Sequence, residues 1–405
     1  MYQRGECIGM DRRSFIQSAF GGAAGLLGSG TVYGRTYCQE NEEKAAISRT
    51  LGKTGIRVPV VSMGVMNADN PNLVKAALDA GIVHLDTAHK YQRGRNEEMI
   101  GEVIRDRPRD SFVIATKIPG GDFDRDSGAY TDEDAPEKFS EYLDISLQRL
   151  GLKYVDILYL HSVKSRVGAL HGPLIDALLK AKKMGKTRFI GLSTHTREPE
   201  VIRAAIESNA YEVVLTAYNF KQDHHEEVGR AIEEAGKAGL GIVAMKTIPG
   251  GGYADKEKQK PLNVRAALKW VLKNEHVHTT IPGFTTFDQL QADLDVLYDI
   301  SLNGQEVKDL EEAMTMQGFY CQGCEICLPQ CHRNMPVPDL MRAYMYAYGY
   351  KNRVAAYDLL KELNIPAGGC GDCPGCRVAC AKSFNVRDNI NNIIRLNDIP
   401  REFVA

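Results

Sequence analysis

From residue 48 onward, short runs of aliphatic and β-branched residues alternate with longer stretches whose apolar positions recur at helical spacing. Runs 59–65, 82–87, 112–117, 155–161, 188–193, 212–218, 241–246 and 278–282 read as strands. Segments near 71–80, 96–107, 136–150, 173–184, 198–208, 223–239, 263–274 and 286–297 read as amphipathic or alanine-rich helices. Eight strands alternating with eight helices is the count of a closed (β/α)8 barrel, a TIM barrel of α/β class. An open doubly wound sheet would also alternate, but no Gly-x-Gly-x-x-Gly follows the first strand. Ahead of the barrel, Leu51-Gly52-Lys53-Thr54-Gly55 lies between short apolar runs and predicts a hairpin within 47–61. Residues 303–318 read as a polar helix and linker, and 338–363 as helical. The expected organisation is therefore a barrel over 48–302, followed over 303–405 by a helical linker and a small, mostly helical domain.

The first 35 residues break this pattern. Asp11-Arg12-Arg13-Ser14-Phe15-Ile16-Gln17 precedes a small-residue, weakly apolar stretch over 18–30. A basic start followed by a short apolar core is the pattern of an export signal. The paired arginines with Phe15 resemble the twin-arginine signal, which implies the twin-arginine export machinery as a partner and a periplasmic location. A tail that stays in the cytoplasm is the alternative. The stretch is too short and glycine-rich to span a bilayer securely. Arg35 stands three positions before Cys38, where a lipid-attachment box needs an apolar residue.

The 405 residues are 43% apolar, enough for one large domain and a small one. A formal net charge of −2 gives no bulk attraction to nucleic acid or anionic membrane. Of ten cysteines, only Cys7 and Cys38 precede residue 321; the other eight fall between 321 and 380. Such clustering points to a metal or cluster site rather than a disulfide framework.

Barrels of this kind carry their chemistry at the C-terminal ends of the strands. The second strand ends at Asp86 with Tyr91 in the following loop, the third ends at Lys117, and the fourth at His161. A phenol with an ordinary pKa near 10 is a weak acid, and a neighbouring ammonium favours its ionised form. Asp86 can fix Lys117, and His161 can orient a carbonyl oxygen. Such a set protonates a carbonyl oxygen while hydride reaches carbon, or runs the reverse. Singly, each residue is read as easily as a structural carboxylate, a solvated lysine or a satisfied histidine; together at consecutive strand ends they read as a site.

The run His84-Leu85-Asp86-Thr87-Ala88-His89-Lys90-Tyr91, with Gly94 and Asn96-Glu97-Glu98-Met99-Ile100-Gly101, resembles the aldo-keto reductase signature. Ala115-Thr116-Lys117 and Tyr159-Leu160-His161 resemble its later motifs, so the resemblance covers about 48–300. It implies a nicotinamide-dependent oxidoreductase acting on a carbonyl or alcohol, with sugars among the candidates. Tyr91 would be the proton donor, with Asp86, Lys117 and His161 in support.

On the NAD(P) side the resemblance implies Ser193, Tyr218, Met245, Lys246, Gly283, Phe284, Thr285 and Gln289 as binding residues. Gly250-Gly251-Gly252 would let backbone N–H groups approach a pyrophosphate. Gly283, Gln289 and Asp293 replace the basic residue, arginine and asparagine that the family often carries, so the usual grip on a 2′-phosphate is missing. Thr194 and Leu215 stand where an asparagine and a glutamine are usual, while Tyr218-Asn219 is retained.

The spacing Cys321-x2-Cys324-x2-Cys327-x3-Cys331 recurs as Cys370-x2-Cys373-x2-Cys376-x3-Cys380. Three close thiolates hold three irons of a cubane and the fourth ligand comes from the other run. On that pattern Cys321, Cys324, Cys327 and Cys380 hold one 4Fe-4S cluster, and Cys370, Cys373, Cys376 and Cys331 hold a second. Zinc, the alternative, normally uses pairs of CxxC. The long helical spacer resembles the ferredoxin-like tail of a subset of aldo-keto reductases, although His332 and Ala381 replace the usual proline. His332 is read as a polar neighbour rather than a ligand, and His224-His225, near a helix start, as solvent-facing. The implied whole is an oxidoreductase that passes electrons to a partner through two clusters, exported with its cofactor already bound. The competing reading is an electron-transfer or scaffold protein with a non-catalytic barrel.

Overall fold

The computed structural model describes residues 45–404 apart from 125–126, 251–261, 317–318, 364, 366–368, 372 and 374. The expected export signal, Cys7, Cys38 and Gly251-Gly252 lie outside the described residues.

The predicted hairpin forms from β1 (Ser48–Thr50) and β2 (Arg57–Pro59), antiparallel, around a turn with Gly55 at φ 72. Its apolar residues Leu51, Ile56 and Val58 plug the barrel floor, packing with Tyr159, Val213 and Val243. Eight parallel strands follow: β3 (Met63–Gly64), β4 (His84–Asp86), β5 (Val113–Pro119), β6 (Val155–His161), β7 (Thr187–Thr194), β8 (Val213–Ala217), β9 (Gly241–Met245) and β10 (Thr279–Thr280). Neighbours in sequence are neighbours in the sheet, and Ser62 N–H donating to Thr280 O at 2.8 Å closes the ring.

Alternation sorts each strand. Ala115, Ile157, Tyr159, Val213, Leu215 and Val243 fill the interior, while Ile114, Leu158, Leu160 and Val214 pack outward on helices. Those helices are α1 (Pro71–Asp79), α2 (Arg95–Ile104), α3 (Ala135–Leu150), the short α4 (Arg166–Ala169), α5 (Gly172–Lys183), α6 (Glu198–Ser208), α7 (His225–Lys237), α8 (Val264–Leu272) and α9 (Phe287–Val296). The expected order holds throughout, with β3 and β10 shorter than the apolar runs that contain them.

Next comes α10 (Gly304–Thr315), opened by an Asn303–Glu306 capping box. Its Leu310 and Ala313 pack with Ala266 and Ala267 of α8, so this linker helix joins the barrel's outer layer. The cysteine region contains α11 (Val337–Tyr344), α12 (Arg353–Glu362) and α13 (Val386–Ile394) around its own core of Leu340, Met341, Ala343, Leu360, Ile390 and Ile393. The expected continuous helix over 338–363 is broken. After α11 comes a π-helical turn, Met345–Gly349; then Lys351 takes φ 55 and Asn352 caps α12 through Ala355 N–H at 2.8 Å. Residues 44–405 form one compact unit. No helix among the described residues is long and apolar enough to cross a membrane.

Candidate active site

The loop after β4 is held before any chemistry begins. Thr87 N–H bonds Ala115 O at 2.9 Å and His89 N–H bonds Lys117 O at 3.0 Å, extending the β4–β5 ladder past its last strand residue. Thr87 Oγ1 donates to Asn96 Oδ1 at 2.6 Å, and Asn96 Nδ2 donates to Val65 O at 2.7 Å. Glu97 receives Thr116 Oγ1 at 2.7 Å and Arg149 at 3.2 Å. Gly94 adopts φ 93 with the Arg149 guanidinium pressed against it, where a Cβ would come within 2.2 Å. The signature residues around Tyr91 thus act as its frame.

Within that frame Lys117 is buried and its ammonium has three donors for three partners. It pairs with Asp86 and donates to Thr87 O at 2.6 Å and to Tyr91 Oη at 3.3 Å. His161 presents its ring edge to Tyr91, with centroids 6.0 Å apart. All four expected residues therefore converge.

Their electrostatics differ from the expectation in one respect. Burial raises the Tyr91 phenol above its ordinary value; Lys117 pulls it down but Asp86 pushes it up, and burial prevails. The ion pair spends much of the lysine's field. Burial opposes the charge on Lys117, yet Asp86 and Tyr91 outweigh it and the ammonium is kept. Burial, aided by Lys117, Lys90, Lys164 and Arg342, holds His161 well below the usual histidine range, so it is neutral. The result is a protonated phenol beside a fixed cation and a neutral imidazole, which suits donation of a proton to a carbonyl oxygen.

The residues expected to hold a nicotinamide scatter. Ser193 is buried at the mouth, its Oγ accepting Ser162 N–H at 2.8 Å. Asn219 Nδ2 donates to Lys246 O at 3.1 Å. Lys246 has φ 53, and burial first, then Arg342, lowers its pKa to about 7. An anion beside it would relieve that cost, so a pyrophosphate fits. Met245 packs at the edge of the interior cluster. Gly283 lies beside Gly64 O, with room for backbone to approach. Tyr218 does not reach the mouth: strand parity turns it outward onto Trp270, ring centroids 5.0 Å apart. Phe284 is likewise buried in the outer core. Gln289 Oε1 accepts Thr285 N–H at 2.7 Å, so these two serve the start of α9. Asp293 is buried in α9.

The eight cysteines of the two runs fall in two neighbourhoods. Cys321, Cys324, Cys327 and Cys380 are electrostatic neighbours, while Cys331, Cys370, Cys373 and Cys376 line one cavity with Arg377 and Arg387. None of the eight is in a disulfide. Burial, then Cys321 and Cys324, raises the Cys327 thiol to about 12. Among the described residues no three His, Cys, Asp or Glu groups close round a single metal ion. The two groups of four thiols are the residues that would hold two cubanes. His224 and His225, expected in solvent, are instead half-buried: His224 pairs with Glu198 at 3.0 Å and His225 lies edge-on to Trp270.

A model of the aldo/keto reductase family matches residues 63–266. The chain belongs to the aldo/keto reductase family. As a family member it is an oxidoreductase of the aldo-keto reductase type, and the family uses NAD(P). The L-glyceraldehyde 3-phosphate reductase of Escherichia coli K12 is 25% identical over 325 residues, covering 65% of this chain and 91% of its own. The L-galactose dehydrogenase of Arabidopsis thaliana is 24% identical, covering 65% and 92%. The D-threo-aldose 1-dehydrogenase of Pseudomonas sp is 25% identical, covering 51% and 70%. The holo form of an aldo-keto reductase from Bacillus halodurans shares the fold, at TM-score 0.54 and 22% identity over 66% of this reductase and 96% of that chain. The matched span stops short of the cysteine runs.

Sequence reasoning missed what the cysteine region does to the barrel mouth. Lys90 pairs with Glu362 at 3.3 Å and Arg93 with Asp358 at 2.5 Å, clamping both sides of the Tyr91 loop. Arg197 pairs with Glu325 at 2.8 Å, and Lys382 pairs with Asp223. Helix α11 delivers Arg342 to the neighbourhood of His161, His195 and Lys246. No local signal could have found it, because its position depends on docking.

Proposed function

We propose that this aldo/keto reductase interconverts a carbonyl and an alcohol on a sugar-like substrate. A bound nicotinamide supplies or accepts the hydride at the substrate carbon. Tyr91 Oη gives the proton to the carbonyl oxygen in reduction and takes it back in oxidation. Lys117 holds Tyr91 in place and stabilises the charge left on its oxygen, and Asp86 fixes Lys117. Neutral His161 orients the carbonyl. Ser193 and Lys246, with the chain after β10, are the residues that would hold the nicotinamide. Relatives named for L-galactose and D-threo-aldose favour a sugar substrate.

When bound by Cys321, Cys324, Cys327 and Cys380, and by Cys331, Cys370, Cys373 and Cys376, two 4Fe-4S clusters supply one-electron carriage to a partner. The two-motif spacing and the fourfold grouping of the thiols support this. Export by the twin-arginine route, which carries folded cargo, is the matching proposal for location.

The observation that carries the enzymatic reading is the 3.3 Å contact of Lys117 Nζ with Tyr91 Oη, with the ammonium's other hydrogens committed to Asp86 and Thr87. Replacing Tyr91 by Phe removes only the hydroxyl. Turnover should fall by a factor of roughly several hundred or more, the scale of general acid catalysis. Steady-state assay with a panel of sugars and aldehydes checks it; unchanged turnover would favour the scaffold reading.

A further inference from the structure

Helix α11 is two-faced. Val337, Leu340, Met341 and Ala343 enter the core of the cysteine region. Asp339 and Arg342, three residues apart, pair with each other outside that core, while Tyr346, in the turn that follows, packs partly against it. The π-helical turn over Met345–Gly349 follows directly, and Tyr346 stacks on Tyr350 with ring centroids 5.7 Å apart and planes 23° apart. π-turns of this kind frequently mark functional sites. Both tyrosines lie within electrostatic reach of Tyr91. This face therefore looks onto the catalytic set.

Its charge is unbalanced. Asp339 Oδ1 serves Arg342 at 2.9 Å and also Lys164, the residue three beyond His161, at 3.6 Å. The next carboxylate, Glu325, is engaged by Arg197. One carboxylate thus answers two cations whose side chains are only 13% and 17% exposed. Two partly desolvated cations sharing one carboxylate next to a catalytic centre, with the Cys321 thiol as the other acidic neighbour of Arg342, are a place for a substrate anion. Lys164 follows the fourth barrel strand, whereas Arg342 also reaches Lys246 after the seventh, where the phosphates of a nicotinamide belong, so titration of the nicotinamide-loaded chain separates the two anions.

We propose that Arg342 and Lys164 bind an anionic group of the substrate, with the Tyr346–Tyr350 pair against its ring, so that the cysteine region completes the substrate site. The ligand is a sugar-like carbonyl or alcohol bearing a terminal carboxylate or phosphate. A planar guanidinium matches either anion bidentately, and tyrosine offers an apolar face to a sugar ring with a polar edge. The proposal rests on the oxidoreductase reading for the position of the reacting carbon, but not for binding.

The test is calorimetric titration of the full chain, purified anaerobically and loaded with nicotinamide, with D-glucuronate, D-glucose 6-phosphate and D-glucose. At least one anionic sugar should bind more tightly than glucose, and the better of the two identifies the anion. Arg342→Gln and Lys164→Gln should each weaken that binding roughly 10- to 100-fold, the scale of a hydrogen bond to a charged group, and leave glucose unchanged. Unchanged glucose binding also shows that a variant is folded. The proposal is overturned if neither anion outbinds glucose, if the preference survives both substitutions, or if they weaken only nicotinamide binding. Anion binding of the expected pattern without turnover of any substrate would instead sink the oxidoreductase reading and leave this one standing.

Discussion

Lys164 is the residue whose charge should be visible in solution. Burial, then Arg342, pushes it down to about 8, against Asp339 and Glu325; His161, His195 and Lys246 also feel its charge. The folded pKa lies below the ordinary 10.5, so between about 8 and 10.5 the unfolded chain keeps a proton that the folded chain releases. Stability from this group therefore rises with pH across that window, and the cost of burying the charge is present in full below it. Anion affinity has the opposite sign, since the cation disappears as pH passes about 8. Binding of D-glucuronate measured on either side of that pH should weaken on the alkaline side in the native chain, and the fall should vanish in Lys164→Gln. Asp86, Tyr91, Lys117 and His161 were legible because strand ends and the loop after β4 place them whatever else happens. Tyr218 was not, because its role follows from strand parity, which turns it outward onto Trp270. Lys164 was not, because its meaning depends on a partner 175 positions away in sequence, Asp339.

Elements show the same division. The barrel helices follow from apolar periodicity and were legible to within a few residues. The span over 338–363 is rich in tyrosine and alanine and has no proline after Pro338, yet it divides after the π-turn. Gly349 sits so close to Gly250 O that a Cβ would come within 2.7 Å, so this segment is shaped by contact with the barrel as well as by helix propensity. Asn352 restarts the helix and ties it down: Oδ1 accepts Ala355 N–H at 2.8 Å, and Nδ2 donates to Asn67 Oδ1 at 2.7 Å on the barrel side. Asn352→Ala should cost about 1 kcal/mol for the lost cap, with the contact to Asn67 lost besides. Denaturant unfolding should show an earlier midpoint, and Asn352→Asp, which keeps a capping oxygen, should recover much of it. An unshifted midpoint in the alanine variant would mean that the break is held by the barrel contact alone.

At the scale of the molecule, the cysteine region works as a cover on a barrel whose floor is already plugged by its hairpin. The ion pairs that fasten it, such as Lys90–Glu362, are largely exposed and individually weak. Placement is helped instead by contacts such as Asn352 Nδ2 donating to Asn67 Oδ1 at 2.7 Å, while the proposed cluster ligation would interleave the two cysteine runs. That interleaving makes a prediction that simple loss of iron cannot settle, because one serine substitution should halve the iron however the ligands pair. If Cys380 completes the set of Cys321, Cys324 and Cys327, then Cys324→Ser and Cys380→Ser strike the same cluster. The double variant should keep about four irons and four sulfides of about eight each, like either single variant. Joining Cys370→Ser to Cys380→Ser should instead empty both sites. If each run held its own cluster, the outcomes would exchange: the first pair would lose everything and the second would retain half. Iron and acid-labile sulfide counts on anaerobically purified variants distinguish the cases. Since Cys321 feels Arg342 and belongs to the first run's cluster under either pairing, that cluster would lie beside the residue assigned to the substrate anion, tying the cover's redox chemistry to the barrel mouth.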